Sequence, residues 1–92
     1  MRKTILLSTL AMAIAAGAAT AQAGSLGRPC TDAPAAKWMS IEALQAKVEA
    51  MGYKVRKAKL KNACGEIYTI DPSGARVELF VDPTSGEIIG RL

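Results

Sequence analysis

Two similar turn motifs constrain the fold of this chain more than any other feature. Residues 71–74 read Asp-Pro-Ser-Gly and residues 82–86 read Asp-Pro-Thr-Ser-Gly. In such motifs Asp bonds forward to the backbone, Pro fixes its own φ angle, and Gly ends the turn. Residues 75–81, between the motifs, alternate between apolar and mostly polar side chains, as a half-buried strand does. The motifs therefore predict a strand with a short connection at each end, and so neighbouring antiparallel strands.

Two more strand-like segments precede the first motif. Residues 53–61 begin with alternating side chains and then shift phase, which indicates a β-bulge near Arg56 and Lys57. Asn62 and Ala63 are expected to turn the chain into a second strand over residues 64–70. Residues 87–92 are either a short last strand or a tail. We therefore expect an antiparallel sheet of three to four strands.

A single helix is predicted ahead of these strands. Ser40 is a suitable N-cap because its hydroxyl can accept a hydrogen bond from a free backbone N–H of the first turn, and Gly52 supplies a left-handed end. Between them, apolar side chains recur at three- and four-residue steps: Ile41, Leu44, Val48 and Met51. A stripe of this spacing is typical of a helix packed on a core. The predicted fold class is α+β, with one helix on one face of the sheet.

The N-terminal segment has the pattern of a cleaved signal peptide. Arg2 and Lys3 precede an apolar stretch, and Ala21-Gln22-Ala23 places small residues at the two positions that a signal peptidase selects. Cleavage is expected before Gly24. A membrane anchor is the competing interpretation, but the stretch is shorter than the ~20 residues that a spanning helix needs. We expect a periplasmic or secreted protein without stable membrane insertion.

This assignment divides the chain into three parts. Residues 1–23 are the signal peptide, residues 24–36 form an extended segment with two Gly and two Pro, and residues 37–92 form the folded domain. Residues 24–36 are called the lead-in below. Two of the twelve basic residues belong to the signal peptide, so the exported part is less basic than the chain's net charge of +4 suggests.

Export gives a role to the two cysteines, Cys30 and Cys64. An oxidising compartment favours their union in a disulfide, which would link the lead-in to the start of the second strand. Redox-active pairs usually lie two residues apart at a helix start. A metal site would need histidine or more thiols, and the sequence has no histidine and no third cysteine. We therefore predict a structural disulfide, without metal or cofactor.

The sequence offers little catalytic equipment. No histidine is present to activate a serine, and the serines most easily taken for nucleophiles lie in cap or turn contexts: Ser40, Ser73 and Ser85. The acidic residues of the turn motifs match no calcium-binding loop. Glu66 and Glu78 could pair as acid and base across two strands, but a solvated ladder with neighbouring cations is the simpler interpretation. The chain is predicted not to be an enzyme.

The first strand carries the most pronounced charge feature. It holds five cations in eight residues: Lys54, Arg56, Lys57, Lys59 and Lys61. A basic edge strand commonly protects a sheet against aggregation. The functional alternative is attraction to an acidic partner or an anionic membrane surface. Nucleic acid is disfavoured by export and by the few aromatic side chains available for stacking.

The sheet face without a helix is the candidate binding site. If the alternating apolar residues of 75–81 point to the helix, Phe80 faces outward and Tyr68 of the neighbouring strand joins it. An aromatic centre with a charged rim is typical of a protein-binding patch, and the candidate residues are Tyr68, Phe80, Arg76, Glu78, Lys57 and Lys59. Two alternatives stay open: the aromatics close the core from the far side, or a homodimer covers them.

Five segments occur in the order of a known family: Lys37-Trp38-Met39-Ser40, Gly52-Tyr53-Lys54-Val55-Arg56, Cys64-Gly65-Glu66-Ile67-Tyr68, Gly74-Ala75-Arg76-Val77-Glu78 and Asp82-Pro83-Thr84-Ser85-Gly86-Glu87. They resemble the PepSY domain, in particular its small exported single-domain branch with a cysteine pair. Members often carry an aromatic residue where Gly65 stands, so a looser strand is expected there. The resemblance implies a helix on an antiparallel sheet and a role in regulating or inhibiting peptidases near the cell surface.

The expected function is that of a small exported, non-catalytic binding module. Its partner would be another envelope protein, and the resemblance favours a peptidase. The alternative is an accessory or sensory subunit of an envelope assembly such as a membrane redox complex.

Overall fold

The computed structural model describes residues 24–92, and the predicted signal peptide lies outside these residues. A short 3-10 helix (Ala35–Lys37) precedes the helix α1 (Ile41–Ala50) and four strands: β1 (Lys54–Lys61), β2 (Cys64–Ile70), β3 (Arg76–Val81) and β4 (Ile88–Arg91). The predicted α+β class is confirmed, since one helix packs against a four-stranded antiparallel sheet. Within residues 24–92, neither helix is long and apolar enough to cross a membrane.

The helix α1 begins and ends where the sequence predicts. The Ser40 hydroxyl oxygen accepts a hydrogen bond of 3.1 Å from a first-turn backbone N–H, and Gly52 follows the last turn with a φ of +98°. The left-handed region is open to glycine at no steric cost, which explains why the helix stops here. Leu44 and Val48 are buried, whereas Met51 is 46% exposed. The apolar stripe therefore ends before Met51, which lies at the helix C-cap.

The four strands pair in sequence order, each antiparallel to the next. In β1 the pairing with β2 skips Arg56, between Val55 and Lys57, so the predicted bulge is confirmed. The last residues are a paired strand and not a tail, because β4 pairs with β3 and Leu92 continues the pairing through hydrogen bonds to Glu78. The strand β1 is an edge of this sheet.

The main core lies between α1 and one face of the sheet. Its fully buried members come from the helix and the two central strands: Leu44, Val48, Ile67, Leu79 and Val81. At ~25 cal/mol per Å² of apolar surface, each such side chain stabilises the fold by roughly 1.5–3 kcal/mol relative to an exposed position. The turn between β3 and β4 is tied to this layer, because Met39 N–H donates to the Pro83 carbonyl at 2.7 Å.

The turn between β1 and β2 stores strain at Ala63. Asn62 and Ala63 have φ angles of +53° and +59°, the combination of a type I′ hairpin turn, which favours Asn followed by Gly. A left-handed conformation costs a residue with a Cβ about 1 kcal/mol. We expect Ala63→Gly to raise the free energy of unfolding by about 1 kcal/mol, measured by urea unfolding. Ala75→Gly, outside this turn, is the control, and a destabilised Ala63→Gly protein would contradict the prediction.

Both Asp-Pro motifs form the predicted turns. The Asp71 carboxylate accepts hydrogen bonds from Ser73 N–H at 2.9 Å, from the Ser73 hydroxyl at 2.7 Å and from Ala75 N–H at 2.9 Å. The Asp82 carboxylate accepts from the N–H and hydroxyl of Thr84 at 2.8 and 2.6 Å. Each aspartate is thereby engaged in its own turn.

The first turn gives the fold a specific acid sensitivity. The Ser73 hydroxyl, followed by the Ala75 N–H, holds the pKa of Asp71 below its ordinary value of 3.8. A lowered pKa in the folded state stabilises the fold above the ordinary value, and this contribution is lost as pH falls through the folded-state pKa. The melting temperature should therefore decrease more steeply between about pH 6 and about pH 2 for the wild type than for Asp71→Asn. Parallel curves would contradict this, and Ser73→Ala should give an intermediate slope.

Candidate functional site

The sheet face opposite α1 is partly covered by the lead-in. Cys30 and Cys64 form the predicted disulfide, and this link holds the lead-in against the start of β2. Phe80, which pairs in register with Glu66 on this face, is buried in a second cluster with the two cysteines, and Leu26 and Ile89 pack against it.

The prediction that Phe80 is exposed on this face is therefore wrong. It lies on the predicted face, but only 1% of its surface is accessible. The physical reason is the covering of Phe80 by the disulfide, Leu26 and Ile89. Phe80 closes the second side of the sheet, which is one of the two alternatives that the sequence left open.

Beyond the lead-in, the same face keeps an open groove of about 680 Å³. It contains four of the six candidate residues: Lys57, Tyr68, Arg76 and Glu78. Lys59 lies elsewhere, with its ammonium 4.0 Å from the Glu66 carboxylate. This groove, defined by Arg56 and those four residues, is the candidate site and is called the Tyr68 groove below.

Strand register brings these residues together. Tyr68 on β2 lies directly opposite Lys57 on β1 and Glu78 on β3, and directly paired side chains share one face of a sheet. Arg76, two residues before Glu78, shares that face because side chains alternate along a strand. Strict alternation would put the neighbours Arg56 and Lys57 on opposite faces, but the bulge at Arg56 lets both line the groove.

Tyr68 is the half-buried centre of the groove. The Lys57 ammonium lies 6.0 Å from the centroid of its ring, at the outer limit of a cation–π contact. Burial, and then the Glu78 carboxylate, raise the pKa of Tyr68 above its ordinary value of 10.0. The hydroxyl therefore stays protonated at neutral pH, and its hydrogen bond goes to the Glu78 carboxylate.

The two glutamates of this face are buried, which corrects the prediction of a solvated ladder. Glu66 is 3% exposed and Glu78 is 7% exposed. Glu66 has Lys59 as a partner, whereas within residues 24–92 the Oε2 atom of Glu78 is buried without a hydrogen-bond partner. The cations of β1, in contrast, are exposed, so the groove has a basic rim over a buried carboxylate.

The serines considered as nucleophiles serve the local backbone. Ser40 caps α1, Ser73 donates to Asp71, and the Ser85 hydroxyl accepts from Glu87 N–H at 3.1 Å. In the part of the chain that the structure describes, no three acidic or cysteine side chains cluster closely enough to hold a metal ion. The chemical capacity of the groove lies in ion pairing, hydrogen bonding and contact with one aromatic ring.

Residues 5–91 match the family described as "Peptidase propeptide and YPEB domain". The chain belongs to the PepSY family. PepSY domains are typically propeptide or peptidase-inhibitor-like modules and are generally non-catalytic. Neither the curated proteins nor the solved structures contain a match to this chain.

Gly65 stands where the resemblance leads us to expect an aromatic residue, and its packing leaves no room for one. Gly65 is buried, and a Cβ built there would lie 2.6 Å from a Val81 methyl carbon and 3.1 Å from a Leu44 methyl carbon. The space that a larger side chain would need is therefore filled by the strand partner and the helix. The expectation of a looser strand is not met, since β2 pairs on both sides at this position.

Six lining residues of the groove were missed by sequence reasoning alone: Gly24, Arg56, Thr69, Ile70, Val77 and Leu92. The phase shift at Arg56 was a usable signal, because a bulge redirects the neighbouring side chain. Gly24 enters the groove only because the lead-in folds back over the sheet. The Cys30–Cys64 link was the one sequence feature that indicated such a return.

Proposed function

We propose that this PepSY chain is a small exported, non-catalytic module that binds another envelope protein, with a peptidase as the favoured partner. Family membership supports the class of function. The observation that carries the proposal is the Tyr68 groove, which unites four of the six residues predicted for binding. Export itself rests on the sequence pattern of residues 1–23.

The charges of the groove favour an acidic segment of the partner. Arg56, Lys57 and Arg76 line it, and cations arranged in this way attract a complementary anionic surface and fix its orientation. Tyr68 adds a flat apolar surface with a polar tip, a side chain that is enriched in protein interfaces. The three cations and the Tyr68 ring are thus suited to bind a loop or strand that bears carboxylate groups.

Matched charge reversals test this site. The disulfide-bonded protein starting at Gly24 would be immobilised, and the protein that it retains from envelope material identified and then measured by direct binding. We expect Arg76→Glu to weaken that binding by at least about tenfold. Lys37→Glu, which makes the same charge change at an exposed position outside the groove, should leave it unchanged.

Two results would count against the proposal. Equal binding by the Arg76→Glu and Lys37→Glu proteins would place the contact elsewhere. A retained membrane redox subunit, in place of a peptidase or peptidase-associated protein, would favour the alternative of an accessory subunit. If the retained protein is a peptidase, inhibition of its activity by the wild type and loss of inhibition with Arg76→Glu would establish regulation.

A further inference from the structure

The Tyr68 groove contains a buried carboxylate with one oxygen atom that lacks a partner. Glu78 is 7% exposed, and its Oε2 atom has no hydrogen-bond partner within residues 24–92. An ionised carboxylate in such a position is costly unless a cation or donor compensates it, and buried polar groups in native proteins nearly always have one. The groove cations do not fill this role, because the ion pair seen in the described part of the chain joins Lys59 to Glu66. The Tyr68 hydroxyl hydrogen-bonds to the Glu78 carboxylate, but it is neutral and leaves the Oε2 atom without a partner among the described residues.

Gly24 lies in the same groove. A Cβ built at Gly24 would overlap the Leu92 side chain, so the two residues are in close contact. Leu92 is paired with Glu78 through the backbone, with N–H···O distances of 2.9 and 3.1 Å. Gly24 is therefore placed next to the strand partner of Glu78, and Leu26 and Cys30 hold the following residues against the sheet.

Cleavage at the predicted site would change the charge of Gly24. Hydrolysis by a signal peptidase adds one water across the Ala23–Gly24 amide, so that Ala23 leaves as a carboxylate and Gly24 gains a primary amine. That amine is protonated at neutral pH, since an α-amino group has an ordinary pKa of about 7.7–8.0. Before cleavage, the same nitrogen is an uncharged amide. Processing thus creates a cation at a residue that lines the groove.

We propose that the α-ammonium group of Gly24, released by removal of the signal peptide, is the partner of the buried Glu78 carboxylate. Processing then completes the second face of the sheet, and the uncleaved chain lacks this ion pair. Because the Gly24 ammonium group balances the charge of Glu78, the positive charges of Arg56, Lys57 and Arg76 are left without a counter-charge in the groove. The inference rests on cleavage before Gly24 and not on the identity of any binding partner.

Unfolding measurements on two N-terminal forms test the ion pair. The disulfide-bonded protein starting at Gly24 would be compared with the same protein acetylated on Gly24, each as wild type and as Glu78→Gln. Acetylation should increase the unfolding equilibrium constant of the wild type about tenfold, as expected for a one-unit pKa shift. In Glu78→Gln, acetylation should have no effect. Glu49→Gln, an exposed helix position, is the matched control and should respond to acetylation as the wild type does.

The pKa of the Gly24 amine, measured by NMR, is the second readout. Glu78 and Glu66 raise this pKa, Arg56, Lys57 and Arg76 lower it, and Tyr68 is neutral. We expect a value above the ordinary range in the wild type and a return to that range in Glu78→Gln. With a raised pKa, the stabilisation is present below the ordinary value and is lost as pH rises through the folded-state value.

Several outcomes would overturn the proposal. An acetylation effect that persists in Glu78→Gln would assign the ammonium group to another anion, such as the α-carboxylate of a chain ending at Leu92. A pKa of the Gly24 amine within the ordinary range in the wild type would show that the ammonium group does not pair with Glu78. A third outcome is that Arg76→Ala destabilises the wild type but not Glu78→Gln, whereas acetylation affects both equally. The Glu78 carboxylate would then be paired with Arg76. None of these results bears on whether Arg76→Glu weakens partner binding, so the two proposals can fail separately.

Discussion

Loss of the disulfide between Cys30 and Cys64 is expected to lower the free energy of unfolding by about 3–4 kcal/mol. The link closes a loop with a sequence separation of 34, and in the chain-entropy model a loop of this length stabilises by that amount through restriction of the unfolded state. A second contribution is structural, because the link holds the lead-in over Phe80. For a domain of this size the loss is a large part of the total stability.

Urea unfolding of the oxidised and reduced wild type measures this effect without changing any other atom. The Cys30→Ala, Cys64→Ala double variant should match the reduced protein, apart from the small volume lost at the buried Cys64. Limited proteolysis should then cut the lead-in of the reduced protein first, since its remaining contacts are few and local opening follows contact density. A difference in unfolding free energy below about 1 kcal/mol would show that the link contributes little.

Truncation of Phe80 is expected to cost about 3–5 kcal/mol. Phe80 is 1% exposed, and it joins the disulfide in the cluster against which Leu26 and Ile89 pack, so Phe80→Ala removes packing from the second face and leaves a cavity. Tyr68→Ala is the matched control on the same face. Tyr68 is half-buried and lies in the open groove, so its truncation should cost much less.

The comparison of Phe80→Ala with Tyr68→Ala also tests whether Phe80 is covered in solution. An exposed phenylalanine would give a change within about 0.5 kcal/mol, whereas the covered one gives a large loss in urea unfolding. Similar, small losses for Phe80→Ala and Tyr68→Ala would mean that the lead-in does not cover this face in solution.

Much of the fold could be predicted because it is determined by neighbours along the chain. Ser40 and Gly52 bound a helix through hydrogen bonding and backbone freedom at its two ends. The Asp-Pro motifs at Asp71 and Asp82 close their own turns, and the bulge at Arg56 appeared as a shift in alternation. Each of these features needs only a few adjacent residues to be recognised.

The cover of the second face could not be read from such local patterns. Residues 24–36 show no periodicity that indicates packing, and Leu26 finds its place only when the sheet already presents Phe80 and Ile89. The burial of Glu78 has the same origin, since a strand pattern assigns it to a face but does not say what lies over that face. The cysteine pair was the available signal: Cys64 starts the strand that carries Tyr68, so its bond to Cys30 directs the lead-in to this side.

The sequential pairing of the strands also bears on how quickly the chain can reach its final shape. Because β1 to β4 meet only their neighbours in sequence, assembly of the sheet requires only short loops to close, and sheets of this kind fold faster than sheets with long-range strand pairing. The segment around Cys30 is different, because its target lies beyond the helix and the first strand. An oxidant would thus meet a sheet that is already formed, and the sheet would hold Cys64 in place while the segment that carries Cys30 comes to it.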